Sequence, residues 1–507
     1  MNVLPLPGQP VSYWIDSTLK IDYPSLSENI SVDVAIVGGG IVGITAATLL
    51  KRAGKTVAVI EADRIASGVT GHTTAKLTSL HELIYSQLID KMGEEKARAY
   101  GESNQTAIEQ VARFVKEENI DCDFSRTSAY TFSESESNVE TLEAEYKAAA
   151  SLGLPAHFVR HSPLPFPIAG AVRFDNQAQF HPRKYILSLA DKIPGNGSYI
   201  FENTRVKTVE EGEPCSVVTE CGNLTAKDVI VATNLPILDQ GLYFAKAHPK
   251  RSYLVGGFIE PEKAPEGMYI SLGERHYRSI RTTPHNGQTL LIVGGEGHKT
   301  ASVDDEEQGY SRLEEFARQR FGIEEIQYRW SSQDFVSFDK LPYIGKLTPA
   351  SNHTYVATGF SLWGMSKGTL SGMLLSDLIL GRPNPWAELY DSTRATPFVS
   401  GQSVKNNFDV ATRWIGDRFK GLDKTSLQDV APGEGKLVTI EGEKVAAYRD
   451  EQGEVHLNSP ICPHLGCVVD WHDGDKTWEC PCHGSRFTCD GDIVQGPAVK
   501  KLGAIEV

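Results

Sequence analysis

The stretch CPHLGCVVDWHDGDKTWECPCHGS, residues 462–485, packs four cysteines and three histidines into 24 residues of a 507-residue chain that has eight cysteines in all. Within it, Cys462-x-His464 and Cys480-x-x-His483 are separated by fifteen residues. Thiolates and imidazoles are ligands for soft and borderline transition metals. Two of each, split over two loops, suit an asymmetric [2Fe–2S] centre with thiolates on one iron and imidazoles on the other. A tetrahedral zinc site is the alternative for the same four donors. Eight cysteines, half of them in this stretch, are too few and too clustered for a secreted disulfide scaffold, which leaves metal or redox chemistry.

A second chemistry-bearing pattern lies near the amino terminus. Asp33-Val-Ala-Ile-Val-Gly-Gly-Gly-Ile-Val-Gly sets Gly38, Gly40 and Gly43 in G-x-G-x-x-G register, after an apolar strand and at the start of a helix containing Ala46, Ala47 and Leu49. Glycines there let the backbone turn tightly and approach a pyrophosphate seated on the helix amino terminus. Eighteen residues beyond Gly43, at the end of the strand-like TVAVIE, Glu61 is placed to accept hydrogen bonds from a ribose. Strand, turn, helix, second strand and terminal acid in order mark a dinucleotide site, with NAD and FAD both open on these residues alone.

Positioning these groups requires two different kinds of scaffold. Apolar runs at Val34–Val37, Val57–Ile60, Val229–Val231, Leu290–Val293 and Thr354–Ala357 alternate with amphipathic stretches such as Leu83–Val115, the pattern of a largely parallel α/β body that ends near Tyr390. A turn-rich linker follows, and Val404, Phe408, Ala411, Ile415 and Phe419 recur at helical spacing, so residues 391–423 read as linker and amphipathic helix. That helix packs between domains or, on the minor reading, lies on a membrane surface. From residue 424 short strands and turns take over, with 8 Lys/Arg against 14 Asp/Glu, a net −6. The whole chain carries −15, with 40% hydrophobic and 23% charged residues. Such a balance describes a globular protein repelled by phosphate backbones and anionic surfaces, so nucleic acid is not an expected partner. The start, MNVLPLPGQPVSYW, has no basic or apolar leader pattern, and the weakly polar run Val34–Leu50 is broken by glycines, so a cytoplasmic protein without a transmembrane segment is expected.

The body resembles the glycine oxidase / D-amino-acid oxidase superfamily of flavoproteins. The resemblance runs through ADRIASGVTGHTTAKL after Glu61, AQFHP (178–182) before a helix, a strand ending at Val206, IVATN (230–234), DKLPYIG (339–345) and VATGFSLWGMSKGTLSGMLLSDLI (356–379). It implies FAD, with Ser67, Gly71, His72 and Thr73 along the ribityl and pyrophosphate, Val206 near the adenine, Thr233 in the IVATN segment, and the loop Gly359–Met365, including Gly364, beside the isoalloxazine. Trp363 departs from the histidine common at its position in relatives. The tail resembles the Rieske domain: CPHLGC matches the first ligand loop and CPCHGS the second, which implies Cys462, His464, Cys480 and His483 as cluster ligands. In the respiratory-type branch the resemblance pairs Cys467 with Cys482 as a disulfide; two buried thiols are the alternative. Ser485 matches a hydroxyl that donates to cluster sulfur, and Phe487 stands where high-potential relatives carry a tyrosine, which implies a potential below the top of the Rieske range.

The expected architecture is thus an α/β FAD-binding domain of the glutathione-reductase-like Rossmann type with an inserted α+β substrate domain, followed by an all-β Rieske domain. Residues 1–30 form an extension, 31–390 the oxidoreductase (FAD-binding parts about 31–80, 160–240 and 325–390, substrate part about 241–324), and 424–507 the Rieske module. Substrate contacts are expected between Pro249 and Lys299, with Tyr253, His276, Tyr277, Arg278 and Arg281 as candidates beside Trp363; an arginine fork would hold a carboxylate bidentately. In related N-methyl-amine dehydrogenases a histidine in a segment similar to GVTGHTT is bonded to the flavin, so His72 is either a covalent anchor or a pocket residue.

The leading functional expectation is oxidation of a C–N bond in an amine or amino acid by hydride transfer to FAD, with electrons leaving singly through the cluster to an external acceptor such as a quinone or a ferredoxin-like carrier. An NAD(P)H-driven Rieske reductase is the alternative enzyme, disfavoured by a single dinucleotide fingerprint, and a non-enzymatic redox carrier or sensor is the third reading. Elemental analysis of the purified protein should give two irons and two acid-labile sulfides per chain; one zinc per chain would replace the cluster.

Overall fold

The computed structural model describes residues 6, 8–273, 276–301, 307–394 and 425–505. The helix expected over 404–419 lies outside these residues. Val34–Val37 and Val57–Ile60 are uninterrupted apolar runs, as strands covered on both faces require. They belong to the strands Ile30–Val37 and Val57–Ile60 at the centre of an eight-stranded sheet. Across this sheet the order is Tyr343–Lys346, Thr354–Thr358, Asn223–Val231, Ile30–Val37, Val57–Ile60 and Tyr199–Phe201. The pairs from Thr354–Thr358 through to Tyr199–Phe201 are all parallel. The antiparallel strands Val206–Glu210 and Cys215–Thr219 extend it beside Asn223–Val231. Val206 therefore opens a strand rather than ending one, because the preceding turn is pinned by Glu202, whose carboxylate accepts the backbone N–H groups of Ile65 and Tyr23.

Glycines set how closely the helices approach this sheet. Helix Ile41–Arg52 starts directly after Gly40, and a Cβ added at Gly43 would lie 2.0 Å from the Gly38 carbonyl oxygen. Helix Gly364–Ile379 crosses it on glycine as well: a Cβ at Gly368 would meet Ile41 at 2.6 Å, and one at Gly372 would meet Thr45 at 2.7 Å.

A second, nine-stranded sheet runs in the order Tyr328–Ser337, Ala247–Ile259, Gln288–Lys299, Arg278–His285, Met268–Ser271, Ser125–Ser133, Gly170–Gln179 and Lys76–Leu77, with Ala156–Val159 also paired to Gly170–Gln179. It draws strands from inside and outside 241–324. The apolar run Leu290–Val293 sits here, in the antiparallel strand Gln288–Lys299, and not in the parallel sheet. Its central residues are buried without alternation, so a strand with both faces covered mimics a parallel one in sequence. The amphipathic stretch Leu83–Val115 forms two helices, Tyr85–Met92 and Glu94–Glu117, broken at Gly93, whose φ of +84° favours glycine.

The tail is all β. Gly435–Ile440, Glu443–Arg449 and Val455–Asn458 form one antiparallel sheet, and Asp470–His472, Thr477–Glu479, Arg486–Phe487 and Ile493–Gln495 form another. The amino-terminal extension is anchored to the body: Tyr13 and Trp14 are buried, and the Trp14 indole donates to the Thr73 carbonyl at 2.6 Å. No helix among the described residues is long and apolar enough to cross a membrane. Gly43→Ala should destabilise the chain by about 1–3 kcal/mol, because the added methyl must displace backbone rather than a flexible side chain; an unchanged Tm would show that the turn relaxes freely.

Candidate functional site

One cavity of about 1970 Å³ runs along the carboxyl ends of the parallel strands. It exceeds the 300–1,000 Å³ of an ordinary ligand site, which leaves room for a dinucleotide and a substrate together. At one end lie Gly38, Gly40, Glu61 and Val206. The Glu61 carboxylate takes the Gly39 N–H at 2.7 Å and the Asp63 N–H at 3.0 Å, and burial pushes its pKa up. The wall continues through Ser67, His72, Thr73, Thr233, Gly364 and Met365 to Trp363, Tyr253 and Tyr277. His72 donates from Nδ1 to the Gly68 carbonyl at 2.9 Å, and burial lowers its pKa.

Other expected residues do not line this cavity. Gly43, Gly71 and Gly359 serve the turns behind it: a Cβ at Gly71 would meet the Ala66 carbonyl at 2.3 Å, and Gly359 has a φ of +79°. Arg281 is turned away and donates to the carbonyls of Thr74, Ala75 and Phe180. Arg278 and His276 both bind the buried carboxylate of Glu296, at 2.7 and 2.9 Å. Three candidates from the insertion are therefore structural, while Tyr253 and Tyr277 face the cavity.

Several lining residues carry no motif. Asp334 is buried; its Oδ2 accepts the Leu362 N–H at 2.6 Å, and its Oδ1 has no hydrogen-bond partner. Glu82 reaches the cavity from a backbone φ of +59°. Lys76 is buried with its ammonium on the Tyr269 carbonyl and the Ser279 hydroxyl, and burial pulls its pKa down. The turn 473–477 of the tail and Arg486 also line the cavity, so both parts of the chain build it.

The metal-ligating candidates converge in the tail. Nδ1 of His464 and Nδ1 of His483 are buried without a hydrogen-bond partner, and the two rings stand 5.0 Å apart. Cys462 and Cys480 are both buried, and a hydrogen bond from the Cys480 thiol draws Cys462 down to about 7. Two orphaned imidazole nitrogens and two buried thiols on the same pair of loops fit the donor set of a [2Fe–2S] cluster. Cys467 and Cys482 are disulfide-bonded and tie the two loops. The Ser485 hydroxyl hydrogen-bonds the Cys462 sulfur, and Phe487 is fully buried in the apolar cluster that also holds Cys462 and Cys480.

Body and tail share a desolvated seam. Arg251, 0% exposed, binds Asp475 and Glu479, and Arg486 binds the same two carboxylates at 3.0 and 3.1 Å. Burial opposes ionisation of Asp475, but the Arg251 guanidinium holds it far below the usual carboxylate range. Tyr253 Oη bridges His472 and His298 at 3.0 and 2.9 Å. Gln333, on the cavity wall, donates to the Gly484 carbonyl at 2.7 Å, and His464 Nε2 donates to Asp239 at 2.9 Å.

A dinucleotide cavity joined to a two-cysteine, two-histidine centre defines a two-cofactor redox protein. The chain belongs to the FAD dependent oxidoreductase family, which it matches over residues 33–378, and it matches the Rieske [2Fe-2S] domain over residues 423–506. The first part binds FAD and the second a [2Fe-2S] cluster. The Bacillus subtilis (strain 168) protein YhfW, whose name assigns it a Rieske 2Fe-2S centre, is 38% identical over 98% of each chain. The gamma-glutamylputrescine oxidoreductase of Escherichia coli (strain K12) is 28% identical over 78% of this chain and 95% of its own. The glycine oxidase of Geobacillus kaustophilus shares the fold, with a TM-score of 0.61, 20% identity, and coverage of 72% of this chain and 99% of its own. The protein is thus an FAD-dependent oxidoreductase of the amine and amino-acid oxidase type that carries a Rieske domain.

Replacing Arg251 by methionine leaves two buried carboxylates with Arg486 as their remaining guanidinium partner among the described residues. The loss should be about 3–5 kcal/mol, read as a lower Tm and faster proteolytic release of the tail. Wild-type melting and digestion would show that the seam contributes nothing.

Proposed function

We propose that the chain oxidises a C–N bond of an amine or amino acid and passes the electrons singly, by way of its cluster, to an external acceptor. One observation carries this reading: Gln333 lines the cavity and donates to Gly484, the residue after the ligand candidate His483. Gly484 has a φ of +74°, and a Cβ there would fall 2.7 Å from Pro249 and 2.8 Å from Gln333, so the tail loop is pressed against the body without a side chain between them.

Gly38, Gly40, Glu61, Ser67, His72, Thr73, Val206, Thr233, Gly364 and Met365 would hold FAD, and Cys462, His464, Cys480 and His483 the cluster. When bound, FAD accepts a hydride equivalent and a [2Fe–2S] cluster carries one electron at a time. The chain's own residues enclose and tune. Trp363, Trp330 and Leu362 line the cavity with apolar surface, and the name of the Escherichia coli relative, gamma-glutamylputrescine oxidoreductase, supports an amine as the donor. Ser485 hydrogen-bonds a ligand sulfur, which favours the reduced cluster, whereas Phe487 offers no second donor. The potential should accordingly lie below the top of the Rieske range of about −150 to +300 mV.

Anaerobic addition of a donor amine to the purified protein should give the EPR signal of a reduced Rieske centre with no mediator present. Cys462→Ser should keep flavin bleaching by the same amine while turnover with a one-electron acceptor slows. Bleaching by NADH, with none by any amine or amino acid, would install the reductase reading instead.

A further inference from the structure

The charged groups at the substrate end of the cavity are arranged by sign. Cations there are engaged. Arg329 donates to the carbonyls of Leu6 and Gly8, Arg486 binds Asp475 and Glu479, and Lys76 is buried on a carbonyl and a hydroxyl. Arg278 and Arg281, the natural candidates for a carboxylate fork, point elsewhere.

Acids are differently placed. Asp334 is 6% exposed, lines the cavity, and keeps Oδ1 without a well-formed hydrogen bond, the backbone N–H groups of Leu362 and Phe335 being the donors turned toward its carboxylate. Its other oxygen is fixed by the Leu362 N–H, which the left-handed backbone of Ser361 and Leu362, at φ +54° and +70°, brings round to it. Two consecutive non-glycine residues in that region mark a strained loop, of the kind that clusters at ligand sites. Burial pushes Asp334 up to about 6, against the opposing pull of the Leu362 and Phe335 N–H groups and of Lys367. The neighbouring cation, Lys367, is itself brought down to about 7 by burial and donates to the Lys340 carbonyl. Glu82 is a second acid lining the cavity, and both it and Asp334 act on the Lys367 ammonium; it follows His81, whose ring lies 4.8 Å from Trp363.

We infer that Asp334, assisted by Glu82, is the cation-binding group of the substrate pocket, and that the substrate is an aliphatic amine with no carboxylate beside the reacting C–N bond. The inference rests on the C–N oxidation proposed above. An ammonium would satisfy the orphaned Oδ1 with a charge-assisted hydrogen bond. An α-amino acid would bring its own carboxylate against two acids with no guanidinium to receive it, and like charges in a desolvated pocket disfavour binding.

Binding to the oxidised, FAD-loaded protein tests this without turnover. tert-Butylamine has no hydrogen on the carbon beside nitrogen, so it can bind but not be oxidised, and pivalate is its anionic counterpart. Calorimetry should detect tert-butylammonium and not pivalate, and Asp334→Asn, which keeps an acceptor for the Leu362 N–H, should weaken the amine at least about tenfold at unchanged Tm and flavin content. Tighter binding of pivalate, or wild-type amine affinity in the variant, overturns the inference. If Asp334→Asn fails to fold, Glu82→Gln and an anaerobic panel on wild type decide: alkylamines should bleach the flavin and α-amino acids of equal length should not. Bleaching by amino acids alone overturns the inference and leaves C–N oxidation standing. A panel in which neither class bleaches the flavin removes the oxidation reading and the inference together.

Discussion

Two arginines and two carboxylates share one desolvated contact between body and tail, and the rest of the architecture depends on it. Arg251 belongs to the strand Ala247–Ile259 of the second sheet, whereas Asp475, Glu479 and Arg486 belong to the tail. Removing charges from water is costly, and each such group is tolerable only because its partners are present. Glu479 stands next to Cys480, and Arg486 next to Ser485, so the network ends where the ligand loops begin. Asp475 also takes the Tyr310 hydroxyl at 3.1 Å and the Ser331 hydroxyl. One contact therefore fixes a cavity wall and the orientation of the metal-ligating loops at once.

That coupling explains why the tail cannot be regarded as an appendage. Its turn 473–477 lines the same cavity as Gly38 and Glu61. His472 shares the Tyr253 hydroxyl with His298, so a tyrosine facing the cavity is held from both sides of the seam. A cavity assembled from two modules is complete only when both are folded.

The parts most legible in the sequence were those in which backbone geometry or ligand chemistry leaves few residue types. Gly38 and Gly43 leave no room for a Cβ against neighbouring backbone, and the proposed ligands Cys462, His464, Cys480 and His483 are singled out by donor type, so both patterns can be read without knowledge of tertiary contacts. Arginines on strands behave otherwise. Arg278 and Arg281 are three residues apart on one strand, and nothing local says which distant neighbour each will meet; one found the Glu296 carboxylate and the other the carbonyls of Thr74, Ala75 and Phe180. Arg251, in PKRSY, reads as a solvated cation and is fully buried. Asp334, in SSQDFVSF, reads as a polar residue on the outer face of a strand. It is covered by the loop 359–365, whose Leu362 N–H it accepts and which joins that strand only in the folded chain.

The inward orientation of the proposed ligand histidines has an electrostatic consequence. His464 has a side chain only 5% exposed, its Nε2–H given to Asp239, and Phe244 stands edge-on to both imidazoles at 5.7 and 5.0 Å. In this packing the body, not water, surrounds the imidazole edges. A carboxylate accepting from a ligand imidazole raises its basicity and favours the less negative, oxidised centre, in the same direction as the missing hydroxyl at Phe487. Ser485 works the other way through the Cys462 sulfur. The body can thus set the affinity of the tail for an electron through groups that lie far from the ligand loops in sequence, and Asp239 is a carboxylate it places directly on the ring of a proposed ligand, His464.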